Sequence, residues 1–157
     1  MAFEDILVPT DFRPGARTAL ERALDSLGPE GGRVMILHVV DQRLLEPTLA
    51  LWPEAKEAEL LARLHQQAQE RYAQLVAGLA RDKVEFELLV VDGNPFLKVV
   101  QFARDLDVDL IVMAVHRGPA HLEQFLFGST AERVMRVAPC PVLIVPETTT
   151  ATMANAT

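Results

Sequence analysis

Asp109-Leu-Ile-Val-Met-Ala114 is a short apolar run that leads, through a loop, into Gly128-Ser-Thr-Ala-Glu132. The run is typical of a buried β-strand. In the second segment Ser129 stands three residues before Glu132, which is the spacing of a capping box at the start of a helix. The loop between the two segments is therefore predicted to lie at the carboxyl end of a strand, where open α/β sheets bind ligands.

The loop and the helix that follows it have the features of an anion site. The first N–H groups of a helix have no partner within the helix, and the helix dipole makes that end positive. A glycine lets the backbone approach a ligand closely, so Gly128, Ser129 and Thr130 are predicted to donate to a phosphate. The simpler interpretation is a tight turn at Gly128 and a capped helix. Both interpretations remain open from these residues alone.

Apolar runs alternate with helical segments along the rest of the chain. The runs predicted to be strands are residues 5–9, 33–40, 84–91, 109–114 and 141–145. Each of the first four is followed by a predicted helix. Strands separated by helices pair in parallel through right-handed crossovers. The pattern therefore predicts a three-layer α/β/α sandwich around a five-stranded parallel sheet that is buried on both faces.

The first two predicted helices carry apolar side chains at intervals of three or four residues, so one face of each is expected to cover the sheet. The side chains expected inside are Ala16, Leu20, Ala23 and Leu27 in the first helix and Leu61, Leu64, Ala68, Tyr72, Leu75 and Leu79 in the second. Residues 43–53 contain two prolines and have no sustained period, so they are predicted to form a surface loop anchored by Trp52.

Composition and charge limit the class of protein. A chain of 157 residues, half of them apolar, is expected to form one domain over residues 1–146, with 147–157 as a disordered tail. A net charge of −7 argues against nucleic acid or an acidic membrane surface as partner. No apolar stretch approaches a membrane helix and the N-terminus does not resemble a signal peptide, so a cytoplasmic location is expected. Cys140 is the single cysteine, and we expect no internal disulfide and no metal site.

These motifs together resemble the universal stress protein family. Its nucleotide-binding members carry Gly-x2-Gly-x9-Gly-Ser/Thr, and Gly118-x9-Gly128-Ser129 matches the last two thirds of that pattern. The resemblance covers nearly the whole chain and extends to Ile6-Leu-Val-Pro-Thr-Asp11, Leu37-His-Val39, Gly93-Asn-Pro95 and Ala138-Pro-Cys-Pro-Val-Leu-Ile-Val145. The first glycine of the pattern falls on Val115, or on Ala114 if a one-residue shift lies at His116-Arg117.

The resemblance implies a strand order of 3-2-1-4-5 and an adenine nucleotide bound at the carboxyl ends of strands 1 and 4. The nucleotide would be ATP, or AMP or ADP, with Mg²⁺ arriving with a triphosphate. Asp11 and Val39 would lie on the adenine side, Gly118 in the ribose and phosphate loop, and residues 128–130 at the phosphates. The full set of predicted site residues is Pro9, Thr10, Asp11, Val39, Met113, Val115, Gly118, Gly128, Ser129 and Thr130.

The resemblance also implies a homodimer formed through the last strand, between Val142 and Val145, because an apolar edge strand invites pairing. In the same family the segment around Leu51 and Trp52 can fold over the nucleotide as a lid. His116, Arg117 and His121 could add positive charge near a phosphate, although loop histidines are usually solvated. His38 is expected to be partly buried and hydrogen-bonded.

Two function hypotheses follow. In the first, the protein is a dimeric stress-response protein that an adenine nucleotide regulates and that acts on an unknown protein partner. In the alternative, a side chain at Val115 closes the pocket and the dimer acts through protein contacts alone. An enzyme that adenylates a substrate is a weaker third possibility. The chain has no P-loop and no Gly-x-Gly-x-x-Gly after strand 1, so we predict binding without efficient turnover.

Overall fold

The computed structural model describes residues 2–52, 56–116 and 128–147. Along the chain the elements are β1 (Asp5–Pro9), α1 (Gly15–Ser26), β2 (Gly32–Asp41), α2 (Gln42–Leu51), α3 (Glu57–Val76), β3 (Val84–Gly93), α4 (Pro95–Asp105), β4 (Leu110–Val115), α5 (Gly128–Val137) and β5 (Val142–Pro146). The predicted strands are thus present, with ends that move by one or two residues.

The five strands form one parallel sheet in the order β3-β2-β1-β4-β5, which confirms the predicted fold. The length of the ladders differs greatly between neighbours. β2 and β3 pair over ten residues each, whereas β1 and β2, like β4 and β5, pair over five. The central ladder between β1 and β4 has only two pairs, Ile6 with Leu110 and Leu7 with Ile111. The shortest ladder of the sheet is therefore at its centre, where the strand order reverses.

The core consists of two apolar clusters, one on each face of the sheet. Side chains alternate along each strand, so Leu7 packs on one face with α4 and α5, while Ile6 and Val8 pack on the other with α1 and the C-terminal part of α3. All three are fully buried. Both faces of the sheet are covered by helices, as the continuous apolar runs predict.

The segment predicted as a surface loop forms helix α2 instead, which corrects that prediction. Asp41 caps the helix: its carboxylate accepts from the Arg43 N–H at 3.0 Å and from the Arg43 guanidinium at 2.7 Å. Those bonds to Arg43 lower the pKa of Asp41. Pro47 lies inside the helix. The amphipathic period was hidden because α2 buries only Leu45, while Leu51 and Trp52 are 85% and 70% exposed. Trp52 therefore does not anchor this segment.

Helix α3 is less buried than its pattern predicts. Ala68 is its one buried residue, while Leu61, Leu64, Tyr72 and Leu75 are half-buried and Leu79 follows the end of the helix. The reason is its place over β3, the edge strand, which leaves one side of α3 without a neighbouring helix among the described elements. In α1 the predicted inward side chains are buried, except that Leu27 ends the helix and is half-buried. No helix in the described part of the chain is long and apolar enough to cross a membrane.

Asp109 reinforces the amino end of the short central ladder. Its Oδ2 accepts from the N–H groups of Glu4 and Asp5 at 3.0 and 2.9 Å, and its own N–H donates to the Asp5 carbonyl at 2.8 Å. The two backbone bonds to the carboxylate lower the pKa of Asp109 below its ordinary value. One side chain thus fixes the start of β1 to the start of β4.

We expect Asp109→Asn to destabilise the protein at neutral pH by about 1 kcal/mol, since two bonds to a charged acceptor in an exposed position are weakened. Because the folded-state pKa is lowered, the stabilising effect is present above the unfolded value of about 3.9 and is lost as the pH falls through the folded value. Urea unfolding of both proteins at pH 7 and at pH 3 checks this. A difference that is equal at the two pH values would contradict the role of the charge.

Candidate functional site

The carboxyl ends of β1 and β4 lie side by side in the sheet order but are not paired. The ladder stops at Leu7 and Ile111, although β1 continues to Pro9 and β4 to Val115. This is the point of the sheet at which the strand order reverses. Open α/β sheets bind ligands at such a point, in the crevice outside the strand ends.

The end of β1 is tied to β2, on the side away from β4. The Thr10 N–H donates to the Leu37 carbonyl at 2.9 Å, and the Thr10 carbonyl lies 2.9 Å from Nδ1 of His38. The His38 ring also contacts the Phe12 ring, with 5.0 Å between centroids. These contacts confirm His38 as a partly buried, hydrogen-bonded residue and give it a role that the sequence did not suggest, which is to hold the β1–α1 loop.

Asp11 lies in a turn between β1 and α1. Its Oδ1 accepts from the Arg13 N–H at 3.1 Å, and its Oδ2 lies 3.1 Å from Nε of Arg13. The Thr10 hydroxyl accepts from the Phe12 N–H at 2.9 Å, which helps Phe12 to adopt a positive φ of 60°. The Asp11 side chain is 60% exposed. The carboxylate is therefore at the surface of the crevice, and an exposed ion pair of this kind holds it only weakly.

The end of β4 is tied to β5, again on the side away from the crevice. The Glu147 N–H donates to the Val115 carbonyl at 2.9 Å, and the Glu147 carboxylate contacts Nδ1 of His116. Glu147 is the first residue of the predicted tail, and sequence reasoning assigned it no role. The rest of that tail, residues 148–157, lies outside the described residues.

The two positions that the family glycine could occupy point to opposite faces of the sheet. Val115 is 7% exposed and packs, with Met113, in the cluster on the α4 and α5 face. Ala114 packs on the α1 face. There Gly15 leaves room for it, because a Cβ at Gly15 would lie 3.1 Å from Cβ of Ala114. The Val115 side chain is thus part of the core on the α4 and α5 face.

Helix α5 presents its N-terminus at the same edge of the sheet, because it runs antiparallel to the strands it connects. Gly128 has a φ of 64°, a conformation that side chains other than glycine rarely adopt. Ser129 is exposed and Thr130 is half-buried. The predicted capping box is not the arrangement found, since the Glu132 carboxylate accepts from the Arg136 guanidinium at 2.9 Å. Arg136 stands four residues after Glu132, the spacing at which oppositely charged side chains on a helix form an ion pair.

Arg133 is a cation near this N-terminus that sequence reasoning missed. Its guanidinium carbon lies 4.1 Å from the centre of the Phe96 ring, at the start of α4. Four residues separate it from Ser129, so both lie on one side of α5. The contact joins the middle of α5 to the N-terminal end of α4. No local pattern in the sequence could have shown this pairing.

The structure brings together part of the predicted set of site residues. Val39 and the two β4 residues Met113 and Val115 belong to one apolar cluster, which Ala131 of α5 completes. Pro9, Thr10 and Asp11 follow each other at the end of β1. Gly128, Ser129 and Thr130 open α5. Gly118, Arg117 and His121, in the predicted phosphate loop, lie outside the described residues.

An open groove of about 790 Å³ lies beside the crevice, between the start of α1 and the C-terminal half of α3. Asp11 is the one predicted site residue that lines it, together with Arg13, Arg17 and Arg71. The Arg17 guanidinium is already bound to the carbonyls of Leu75 and Ala77, each at 2.9 Å. The groove is therefore a junction between two helices more than a second binding site.

Comparison with known proteins gives a consistent result. The model of the universal stress protein family matches residues 2–146. Universal stress protein MJ0577 of Methanocaldococcus jannaschii is 31% identical over an aligned length of 156, and the alignment covers 91% of this chain and 94% of that protein. The solved structure of MJ0577 has a TM-score of 0.78 and 29% identity, and the likeness covers 96% of this chain and all of that one.

A more distant solved structure shares the fold. It is the universal stress protein from Archaeoglobus fulgidus in complex with dAMP, at 20% identity and a TM-score of 0.52, with 92% of this chain and 98% of that chain covered. The family model and the relatives span almost the whole sequence, and the strand order agrees with the order that the family resemblance implies. The chain belongs to the universal stress protein family.

Proposed function

We propose that this protein binds an adenine nucleotide in the crevice between the carboxyl ends of β1 and β4, and that the nucleotide regulates a dimeric stress-response protein. The observation that carries the proposal is the exposed N-terminus of α5. Its glycine, Gly128, has a positive φ, and it stands at the edge of the sheet where the central ladder has already ended. The N–H groups of its first turn would be the donors for a phosphate.

The phosphates would be held by backbone groups and by one guanidinium. Gly128, Ser129 and Thr130 form the first turn of α5, and their N–H groups lie where the helix dipole favours negative charge. Arg133 lies one turn further along and adds a full positive charge. The net charge of −7 does not oppose this binding, because these local donors act at short range.

The base would lie on the β1 and β2 side, as the family resemblance implies. Val39 offers an apolar surface that is half-buried, and Asp11 offers a carboxylate that can accept from an exocyclic amine. Asp11 would have to leave Arg13. Since the pair is exposed on both sides, its separation costs little free energy, on the order of 1 kcal/mol or less.

The ligand class agrees with a relative. The Archaeoglobus fulgidus protein carries dAMP in its crystal, and that protein has the same fold over nearly its whole length. We extend the class to ATP, ADP and AMP, with Mg²⁺ bound through the triphosphate. We propose no efficient hydrolysis and a protein partner in the cytoplasm whose affinity for the dimer depends on the bound nucleotide.

We further propose that the dimer forms through β5, the edge strand of the sheet. The strand has apolar side chains from Val142 to Val145, and Leu143 is 38% exposed. Val137 and Met135 of α5 are also exposed, at 50% and 39%. Pairing of two β5 strands around a two-fold axis would bury this surface and satisfy the free edge.

The first experiment asks whether the purified protein carries a nucleotide. Protein prepared without added nucleotide is heat-denatured, and the supernatant is analysed by chromatography for ATP, ADP and AMP. Calorimetric titration with ATP and Mg²⁺, and with AMP, gives a second reading. Bound nucleotide or micromolar affinity supports the proposal. A blank in both measurements favours the alternative, in which the packed Val115 closes the pocket and the dimer acts through protein contacts alone.

Gly128→Val is expected to abolish nucleotide binding, because a β-branched residue cannot adopt a φ of 64° without strain and the first donors of α5 would move. Calorimetry with ATP and Mg²⁺ measures the effect. Gly78→Val is the matched control. Gly78 has a φ of 74°, and, like Gly128, it has no atom within 4 Å of an added Cβ. Equal affinity losses in both variants would contradict the site.

Leu143→Glu is expected to convert the dimer into a monomer, because two carboxylates would be placed in the apolar strand pairing. Sedimentation velocity measures the mass. Leu97→Glu is the control: Leu97 is 58% exposed on α4, away from β5, and its variant should keep the wild-type mass. A Leu143→Glu protein that stays dimeric would exclude β5 as the interface.

A further inference from the structure

The direction of each backbone group in β1 can be assigned from its hydrogen bonds. In a strand, the N–H and C=O groups of successive residues point alternately to the two neighbouring strands. The carbonyl of Glu4 accepts from Arg33 at 2.7 Å and the N–H of Thr10 donates to Leu37 at 2.9 Å, both toward β2. The carbonyl of Asp5 accepts from Asp109 at 2.8 Å. Even-numbered residues therefore face β2 and odd-numbered residues face β4.

Pro9 is odd-numbered, so its nitrogen faces β4. The register of the central ladder pairs Leu7 with Ile111. Two residues further along, the N–H of residue 9 would meet the Val112 carbonyl and extend the ladder by a further pair. A proline has no N–H and cannot make that bond. The ladder ends at Leu7 and Ile111, where this donor is missing.

Thr10 and Val115, near the ends of β1 and β4, are bonded to the outer strands. Thr10 is bound to Leu37 and His38 on the β2 side. On the other strand, the Val115 carbonyl is bound to Glu147 beyond the end of β5. Both residues face the outer strands, as the alternation of backbone groups requires, and Pro9 lacks the donor that would bond β1 to β4 at this level.

We infer that Pro9 is a positioning residue that keeps the crevice between β1 and β4 open for a ligand. The inference rests on the proposed function, because the ligand is the nucleotide proposed for this crevice. The role belongs to the missing N–H and not to the ring. Any residue with a backbone N–H at position 9 would let β1 and β4 pair further, and a ligand would have to break that pairing to enter.

Pro9→Ala tests this directly. The N–H created at position 9 should be protected from hydrogen exchange in the free protein, and the affinity for AMP, measured by calorimetry, should fall roughly five- to tenfold, the effect of one additional hydrogen bond to be broken. Pro146→Ala is the matched control. Glu147 donates to β4, so the nitrogen of Pro146 faces the free edge of β5, and its replacement should leave the affinity unchanged.

A second variant separates the N–H from the proline ring. Pro9→lactic acid, introduced by suppression with the hydroxy acid, has the side chain of alanine and an ester in place of the amide. It should bind AMP with the wild-type affinity. If the alanine and the lactic acid variants lose affinity equally, the ring matters and the inference is wrong. An exposed, rapidly exchanging N–H in Pro9→Ala overturns it as well.

Failure of the proposed function gives a different pattern. If the wild-type protein binds no nucleotide, the affinities decide nothing about Pro9, and hydrogen exchange alone is the test. Protection of the position 9 N–H in Pro9→Ala then supports the inference that Pro9 ends the β1–β4 ladder. Rapid exchange of that N–H overturns it.

Discussion

The architecture depends on the short junction between β1 and β4. At its amino end the Asp109 carboxylate binds two N–H groups of the opposite strand, and two residue pairs follow. Beyond them each strand is bound to its outer neighbour, β1 through Thr10 and β4 through Val115. The sheet thus holds together at one edge and opens at the other. The candidate site lies beyond the last β1–β4 pair because pairing is confined to the amino ends of these strands. The helices contribute the surrounding side chains and the N–H donors of α5.

The alternation of apolar runs and helical periods was sufficient to predict the three layers and the parallel sheet, because both faces of a parallel sheet are buried and its strands are uniformly apolar. The strand order came from the family resemblance. Helix α2 was not predictable in the same way. Its period is weak, it contains Pro47, and it buries only Leu45. Its cap by Asp41 is the one local signal that was available. The partial burial of α3 depends on its position over an edge strand, which is a property of the assembled sheet.

The site was predictable in its outline and not in its contacts. Gly128 and Asp11 could be chosen from motifs, since a motif specifies backbone conformation and the order of elements. The stacking of Arg133 on Phe96, the bond of His38 to Thr10 and the bond of Glu147 to Val115 join elements that are distant in sequence. Such pairs depend on the final packing of the chain. The face of the sheet to which Val115 points likewise depends on the strand register, because a shift of one residue would move its side chain to the opposite face.

The bonds from Asp109 to Glu4 and Asp5 span 105 and 104 residues of the chain. Closing so long a loop costs conformational entropy before any contact is gained, whereas β1, β2 and β3 are joined by shorter connections. We therefore expect the first three strands to associate before the β1–β4 junction closes. Contacts formed after the transition state act mainly on the unfolding rate. We therefore expect weakening of the β1–β4 junction to act mainly on the rate of unfolding.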